Sequence, residues 1–351
     1  MSKKRFALLR LVSVFSFTAA LSACGNSDFF FGLEPEADTF EQSSSLNRIN
    51  TIDVLWVVDN SGSMADLQQN MADNMNTFMG SFLSEGYDFQ MAVTATDAWK
   101  DEFPPPMDPM IAKFRDGVGT TRTGVFVVTP QTVNPINTFI TNFMQGIAGS
   151  GDERAFSSFR AALNSPLNAG FIRPGGYLSV IIVSDEEDFS HDDTAMNESY
   201  AQPTLHPIQD YVDFLDAATG SSGRFRRYNV STISILDAAC LAQSGGKIGT
   251  RLMELADATG GLKIDVCSPT FANDLDMLKS YLLEMLTQFF LSRDPNVDTI
   301  TVYVDGRVVP KDDKNGWTYH ADINAVRFHG SEVPPEGAKI GVSYDPASIK
   351  H

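Results

Sequence analysis

Asp59, Ser61 and Ser63 stand at alternate positions where an apolar run, Thr51-Ile52-Asp53-Val54-Leu55-Trp56-Val57-Val58, gives out. One carboxylate and two hydroxyls are hard oxygen donors, the kind a small divalent cation takes. A short run rich in Val and Ile, bounded by turn residues, predicts a strand buried on both faces in a parallel sheet. Ligands of such sheets gather at the carboxyl ends of the strands, where these three residues fall. A second run, Tyr177-Leu178-Ser179-Val180-Ile181-Ile182-Val183-Ser184, predicts a central strand and ends in Asp185-Glu186-Glu187-Asp188. Asp185 is therefore expected at the same sheet edge as Asp59.

The pattern Asp-x-Ser-x-Ser closely resembles the metal-ion-dependent adhesion site of von Willebrand factor type A domains. The resemblance implies an α/β fold with a Rossmann-like, mostly parallel central sheet and helices on both faces. It implies that Asp59, Ser61 and Ser63 fill the first loop of a metal site and Asp185 the last. The family supplies a threonine from an intervening loop. Aligning Gly151-Asp152-Glu153-Arg154 and the helix pattern after it with that loop places Glu153 at the threonine position, with Ser150 as the fallback ligand. The implied cofactor is a divalent cation, Mg2+ first. Glu153 would add a third carboxylate, and so a shell that also accepts Ca2+ or Mn2+. The open position would take an acidic side chain from a protein partner, which makes the implied function cation-dependent binding or adhesion rather than catalysis.

Two other readings stand beside this one. Ser63 followed by Asp66 also spells a helix N-cap and Ser61-Gly62 a turn, which would leave a metal-independent scaffold. A metal-dependent hydrolase of the haloacid-dehalogenase kind would need a second aspartate two positions after the first, where this chain has Ser61. The five histidines show no zinc-type spacing, and no nucleophile-elbow or phosphate-loop pattern is present.

The N-terminus carries Lys3, Lys4, Arg5 and Arg10, then an apolar stretch from Leu11 to Leu21 and Leu21-Ser22-Ala23-Cys24-Gly25, which reads as a secretory signal over residues 1–23. The last five residues resemble a bacterial lipobox, in which Cys24 is lipidated and anchors the chain to a membrane. Gly25 at the next position resembles lipoproteins sent to the outer membrane, so a cell-envelope location is expected. The chain has 26 basic and 44 acidic residues, a formal net charge of −18, and loses four more positive charges with the signal. Nucleic acid is excluded as a partner, because phosphate backbones need clustered positive charge. Once Cys24 is assigned to lipid, Cys240 and Cys267 remain as a pair in a disulfide-permissive compartment. The expectation is one bond closing a loop of about 27 residues and contributing about 3 kcal/mol. The alternative is two buried free thiols.

The rest of the chain must position those groups. Residues 24–48 lack sustained periodicity and read as a tether, with Phe29-Phe30-Phe31 as its apolar exception. Residues 49–293 alternate strand and helix patterns. Met64, Leu67, Met71, Met75, Phe78, Met79 and Phe82 form one stripe of a first helix that stops near Gly86. A strand is expected over 124–129, a Pro-rich surface loop at Phe103 to Met107, and a last helix from Phe271 to Leu291. The acidic run after Asp185 reads as a solvated loop and His191 as a surface residue. Residues 296–348 predict a small all-β module, with Asp305-Gly306 in a two-residue type I′ hairpin.

Overall fold

The computed structural model describes residues 36–41, 51–84, 88–103, 108, 110–222, 225–334 and 338–347. The expected signal, Cys24, the Phe29–Phe31 run, the Gly86 stop and residues 104–107 of the Pro-rich loop lie outside them.

In chain order the strands are β1 (Glu36–Glu41), β2 (Thr51–Val58), β3 (Asp88–Ala95), β4 (Gly117–Val118), β5 (Thr121–Arg122), β6 (Val127–Val128), β7 (Tyr177–Val183), β8 (Tyr228–Ser234) and β9 (Lys263–Asp265). They continue with β10 (Gln288–Phe290), β11 (Thr301–Val304), β12 (Arg307–Val309), β13 (Trp317–His320), β14 (Ala325–Phe328) and β15 (Lys339–Tyr344). The helices are α1 (Ala65–Ser84), α2 (Pro135–Phe143), α3 (Ala155–Asn164), α4 (Ile208–Thr219), α5 (Ala238–Ser244), α6 (Thr250–Thr259) and α7 (Phe271–Met285).

Six strands form the main sheet in the order β6-β3-β2-β7-β8-β9, parallel throughout except for β6, which runs antiparallel to β3. The continuous apolar character of β2 follows from burial on both sides. Val54, Trp56 and Val58 pack with Met71, Met75, Phe78 and Phe82 of α1, Phe139 and Phe143 of α2, and Leu278 and Leu282 of α7. Leu55 and Val57 face the opposite core with Phe156 and Phe159 of α3, Tyr211 and Leu215 of α4, and Leu252 and Leu255 of α6. The methionine stripe of α1 is core packing: Met64, Met71, Met75 and Met79 are fully buried. This is the α/β architecture expected from the sequence.

Register decides where the chemistry gathers. Val58 pairs with Ala95 of β3 and with Val183 of β7, so three parallel strands end level with one another. The next residues, Asp59, Thr96 and Ser184 with Asp185, are thereby delivered to a single rim.

The small antiparallel sheets have the orders β1-β15-β11-β12 and β10-β14-β13. They enclose a separate core of Phe289, Val302, Trp317, Val326, Phe328, Ile340 and Tyr344, with Ile300 and Val309 at its margin. Asp305 and Gly306 both have positive φ, 51° and 81°, as a type I′ turn requires.

Several boundaries differ from the sequence expectation. The last helix ends at Met285, and Gln288–Phe290 pairs with β14, so the chain enters the β module before residue 293. A helical apolar stripe does not register which module its final turn faces. The expected tether contains β1, whose backbone pairs antiparallel with β15 from Glu36 against Tyr344 to Glu41 against Lys339. Its six residues, with Ala37 and Phe40 three apart, carry no strand-like alternation for sequence reasoning to find. The strand expected over 124–129 shrinks to Val127–Val128, and α5 is an added helix, capped by Asp237 through the backbone N–H groups of Ala239 and Cys240. Cys240, in α5, is joined to Cys267, beyond β9, with Cα atoms 5.5 Å apart.

Candidate metal centre

The loop after β2 folds back on its own carboxylate. The Ser61 backbone N–H donates to Asp59 Oδ1 at 2.8 Å, and the Ser184 hydroxyl donates to Asp59 Oδ2 at 2.6 Å. Asp59 is therefore fixed by the end of its own strand and by the end of β7. The Ser61 and Ser63 hydroxyls lie 3.2 Å apart, and Ser63 Oγ donates to Asp185 Oδ1 at 3.1 Å. Ser63 thus uses its hydroxyl across the rim, and Ser61, which sits at the cap position of the short 3₁₀ turn Gly62–Met64, makes no side-chain capping bond.

Two further loops close around these residues. Gln68, buried in α1, donates to the carbonyls of Asp59 and Gly146 and accepts the Gly146 N–H, which ties the loop after α2 to the rim. On the other side the Lys247 N–H donates to the Asp185 carbonyl at 2.9 Å. Gly246 has φ +77°, and a Cβ there would stand 2.1 Å from that same carbonyl oxygen, so only glycine allows this approach.

Glu153 enters from the segment before α3. It is only 5% exposed, yet both its carboxylate oxygens are buried without a hydrogen-bond partner. Burial, then the Asp59 charge, push its pKa up to about 9. The nearby Thr96 hydroxyl tempers the shift without making a regular hydrogen bond, and Asp97 and Glu186 add to it. Burial likewise raises Asp59 to about 6 against the hydrogen bonds from Ser184 and Ser61, with Asp185 contributing repulsion. Asp185 is raised by burial and eased by Ser63 and Lys247.

The surrounding charges are already committed. Asp97 pairs with Arg115 and Lys100, and Glu186 with Lys247. Neither Asp59 nor Glu153 has a cationic partner among the described residues. Two neighbouring buried carboxylates without a counter-charge must hold protons or meet a cation. The donors are all oxygens and Ser63 is an exposed residue, which suits a hard divalent ion with access from outside. The residues present therefore fit such an ion.

Comparison with known proteins finds weak structural likenesses. No family model and no curated protein matches the chain. Among solved structures, the open conformation of the pilus adhesin SpaC from Lactobacillus rhamnosus GG aligns at 10% identity with a TM-score of 0.43, over 92% of this chain and 43% of the adhesin. Proximal thread matrix protein 1 from the mussel byssus aligns at 10% identity with a TM-score of 0.38, over 71% of this chain and 48% of its own. Another structure of it, described as having a zinc-occupied MIDAS motif, aligns at 11% identity and 0.37, over 71% and 51%. The chain spans about half the length of these proteins or less.

The structure thus brings Asp59, Ser61, Ser63, Glu153 and Asp185 to one rim. The fallback ligand Ser150 accepts the Asp152 N–H with its hydroxyl at 3.1 Å. Sequence reasoning missed Thr96, Ser184 and Gln68. The first two were detectable, because each follows the carboxyl end of a parallel strand; Gln68 was not, since a polar residue on a helix gives no sign of facing inward.

The solvated-loop expectation after Asp185 is corrected. Glu187 and Asp188 are 3% and 1% exposed. Glu187 accepts from the Arg251 N–H and Tyr200 hydroxyl, and Asp188 from the N–H groups of Phe156 and Ser190. His191 is buried as well, its ring nitrogens facing the Phe189 and Ala195 carbonyls. Arg154 holds this loop to the rim. Fully buried, it grips Asp152 with two hydrogen bonds, donates to the carbonyls of His191 and Asp193, and stacks 3.7 Å from the Trp99 ring. Acidic runs look solvated in sequence because their partners arrive from distant segments.

Proposed function

We propose that the rim seats a divalent cation, Mg2+ first, through which the protein binds an acidic side chain of a partner protein at a bacterial cell envelope. The observation that carries this reading is the pair Asp59 and Glu153, two buried carboxylates with no counter-charge among the described residues, beside two converging serine hydroxyls. Asp59, Ser61, Ser63, Glu153 and Asp185 would hold the ion. When bound, the ion supplies positive charge and an open position for an external carboxylate. Ser184 and the Ser61 N–H keep Asp59 oriented, Ser63 and Lys247 keep Asp185 in place, and Gln68 fixes the loop beside them. The arrangement is a docking point. Among the described residues no helix is long and apolar enough to cross a membrane, which leaves the lipid as the anchor in this reading.

Calorimetric titration of chelated protein with Mg2+, Mn2+ and Ca2+ tests it, together with partner capture from envelope extracts with and without chelator. Saturable binding lost in Asp59→Ala, and capture lost with chelator, are the expected results. Heat-silent titrations with all three ions, or capture indifferent to chelator, would leave the metal-independent scaffold as the function.

A further inference from the structure

At the edge of the main sheet opposite the metal rim, a cavity of about 400 Å³ lies between the sheet and the β module. Tyr177 and Tyr228, the first residues of β7 and β8, and Tyr281 of α7 form one side of it; His320 and Arg327 of the β module form the other, and Arg226 stands at the approach to β8.

Arg226 and Arg327 have no ion pair among the described residues. Arg226 donates to the Ala258 carbonyl at 2.6 Å and stacks on the Tyr228 ring, but its Nε is buried without a partner. Among the described residues Arg327 donates through Nε to the neutral Gln288 side-chain oxygen, at 3.1 Å. The acids nearby are largely engaged: Asp257 pairs with Lys263, and Asp216 accepts the Tyr228 hydroxyl. Asp322 is exposed at the cavity margin. Burial, then Arg327, hold His320 down to about 4 against the opposing charges of Asp322 and Glu284.

Two guanidiniums without an ion pair among the described residues, together with the Tyr177 hydroxyl, are hydrogen-bond donors suited to a tetrahedral oxyanion. In a chain of net charge −18 such a concentration of uncommitted positive charge is unexpected on solubility grounds. We propose that this cavity binds a phosphate group between Arg226 of the sheet module and Arg327 of the β module. A ligand contacting both walls would fix the two modules against each other. The proposal does not depend on the metal reading.

The test uses chelated full-length protein, so that phosphate cannot act by removing metal. Thermal melts and calorimetry with inorganic phosphate are compared with chloride at matched ionic strength. A saturable rise in Tm with phosphate alone is expected. Arg226→Gln and Arg327→Gln should each weaken binding about ten-fold or more, the loss for one charge-assisted hydrogen bond. Tyr177→Phe, which keeps the packing, should weaken it less, and Asp59→Ala should leave it unchanged. Vesicles of phosphatidylglycerol, compared with phosphatidylcholine, identify the source: binding that Arg327→Gln abolishes assigns a lipid headgroup, and its absence a soluble phosphate compound. Equal melts in phosphate and chloride, or a phosphate shift retained in both folded arginine variants, would overturn the proposal.

Discussion

Ser63 Oγ donates to Asp185 Oδ1 across 3.1 Å, although 122 positions separate the two residues. The contact joins the turn after β2 to the turn after β7. It exists because those strands are adjacent and in register, with Val58 opposite Val183.

Replacing Ser63 by Ala removes the hydroxyl that orients Asp185. Affinity for Mg2+ should fall about 10–100-fold, the scale of losing a ligand-orienting contact. Glu153→Thr should instead shift preference, weakening Ca2+ and Mn2+ more than Mg2+. Competitive titration of the three ions checks both, and strict Mg2+ selectivity unchanged by Glu153→Thr would remove Glu153 from the shell.

The chelated protein should lose stability as pH rises. Asp59 and Glu153 hold their protons to about 6 and about 9 in the fold, against ordinary values of 3.8 and 4.5. Folding therefore takes up protons between those limits. Their contribution is full below about pH 4 and declines as pH climbs through about 6 and on toward about 9. A bound cation should flatten the decline by matching the ionised forms, and Glu153→Gln should flatten its upper part without metal. Tm measured against pH, with chelator and with Mg2+, gives the comparison; an identical slope in wild type and Glu153→Gln would count against the burial of that carboxylate.

Gly246→Ala should be costly for its size. The added Cβ meets the Asp185 carbonyl at 2.1 Å on a backbone with φ +77°. A loss of about 1–3 kcal/mol is expected from the strained backbone alone. Because the yielding atom belongs to Asp185, metal affinity should fall with it. Urea unfolding and cation titration of the one variant measure the two effects.

Arg154→Met should destabilise the rim even though Met fills much of the space. It leaves the Asp152 carboxylate buried without its bidentate partner and frees the carbonyls of His191 and Asp193. Removing one member of a buried ion pair costs about 3–5 kcal/mol. Denaturant midpoints should show it, and Arg154→Met with Asp152→Leu should recover part of the loss.

Sequence alone determined the elements whose periodicity is strong. The unbroken apolar runs of β2 and β7 marked strands buried on both faces, and the methionine stripe of α1 marked one helix face against them. Asp59, Ser61, Ser63 and Asp185 were legible because chemistry at strand ends follows from the sheet itself. Tertiary structure decided what long-range pairing controls: that Glu187, Asp188 and His191 are buried, that Thr96 and Ser184 reach the same rim, that Gln288–Phe290 and Glu36–Glu41 join the β module, and that Arg226 meets Arg327 across a cavity. A polar residue's partner, unlike an apolar residue's face, carries no period along the chain. Its place is fixed only when separate segments close on one another.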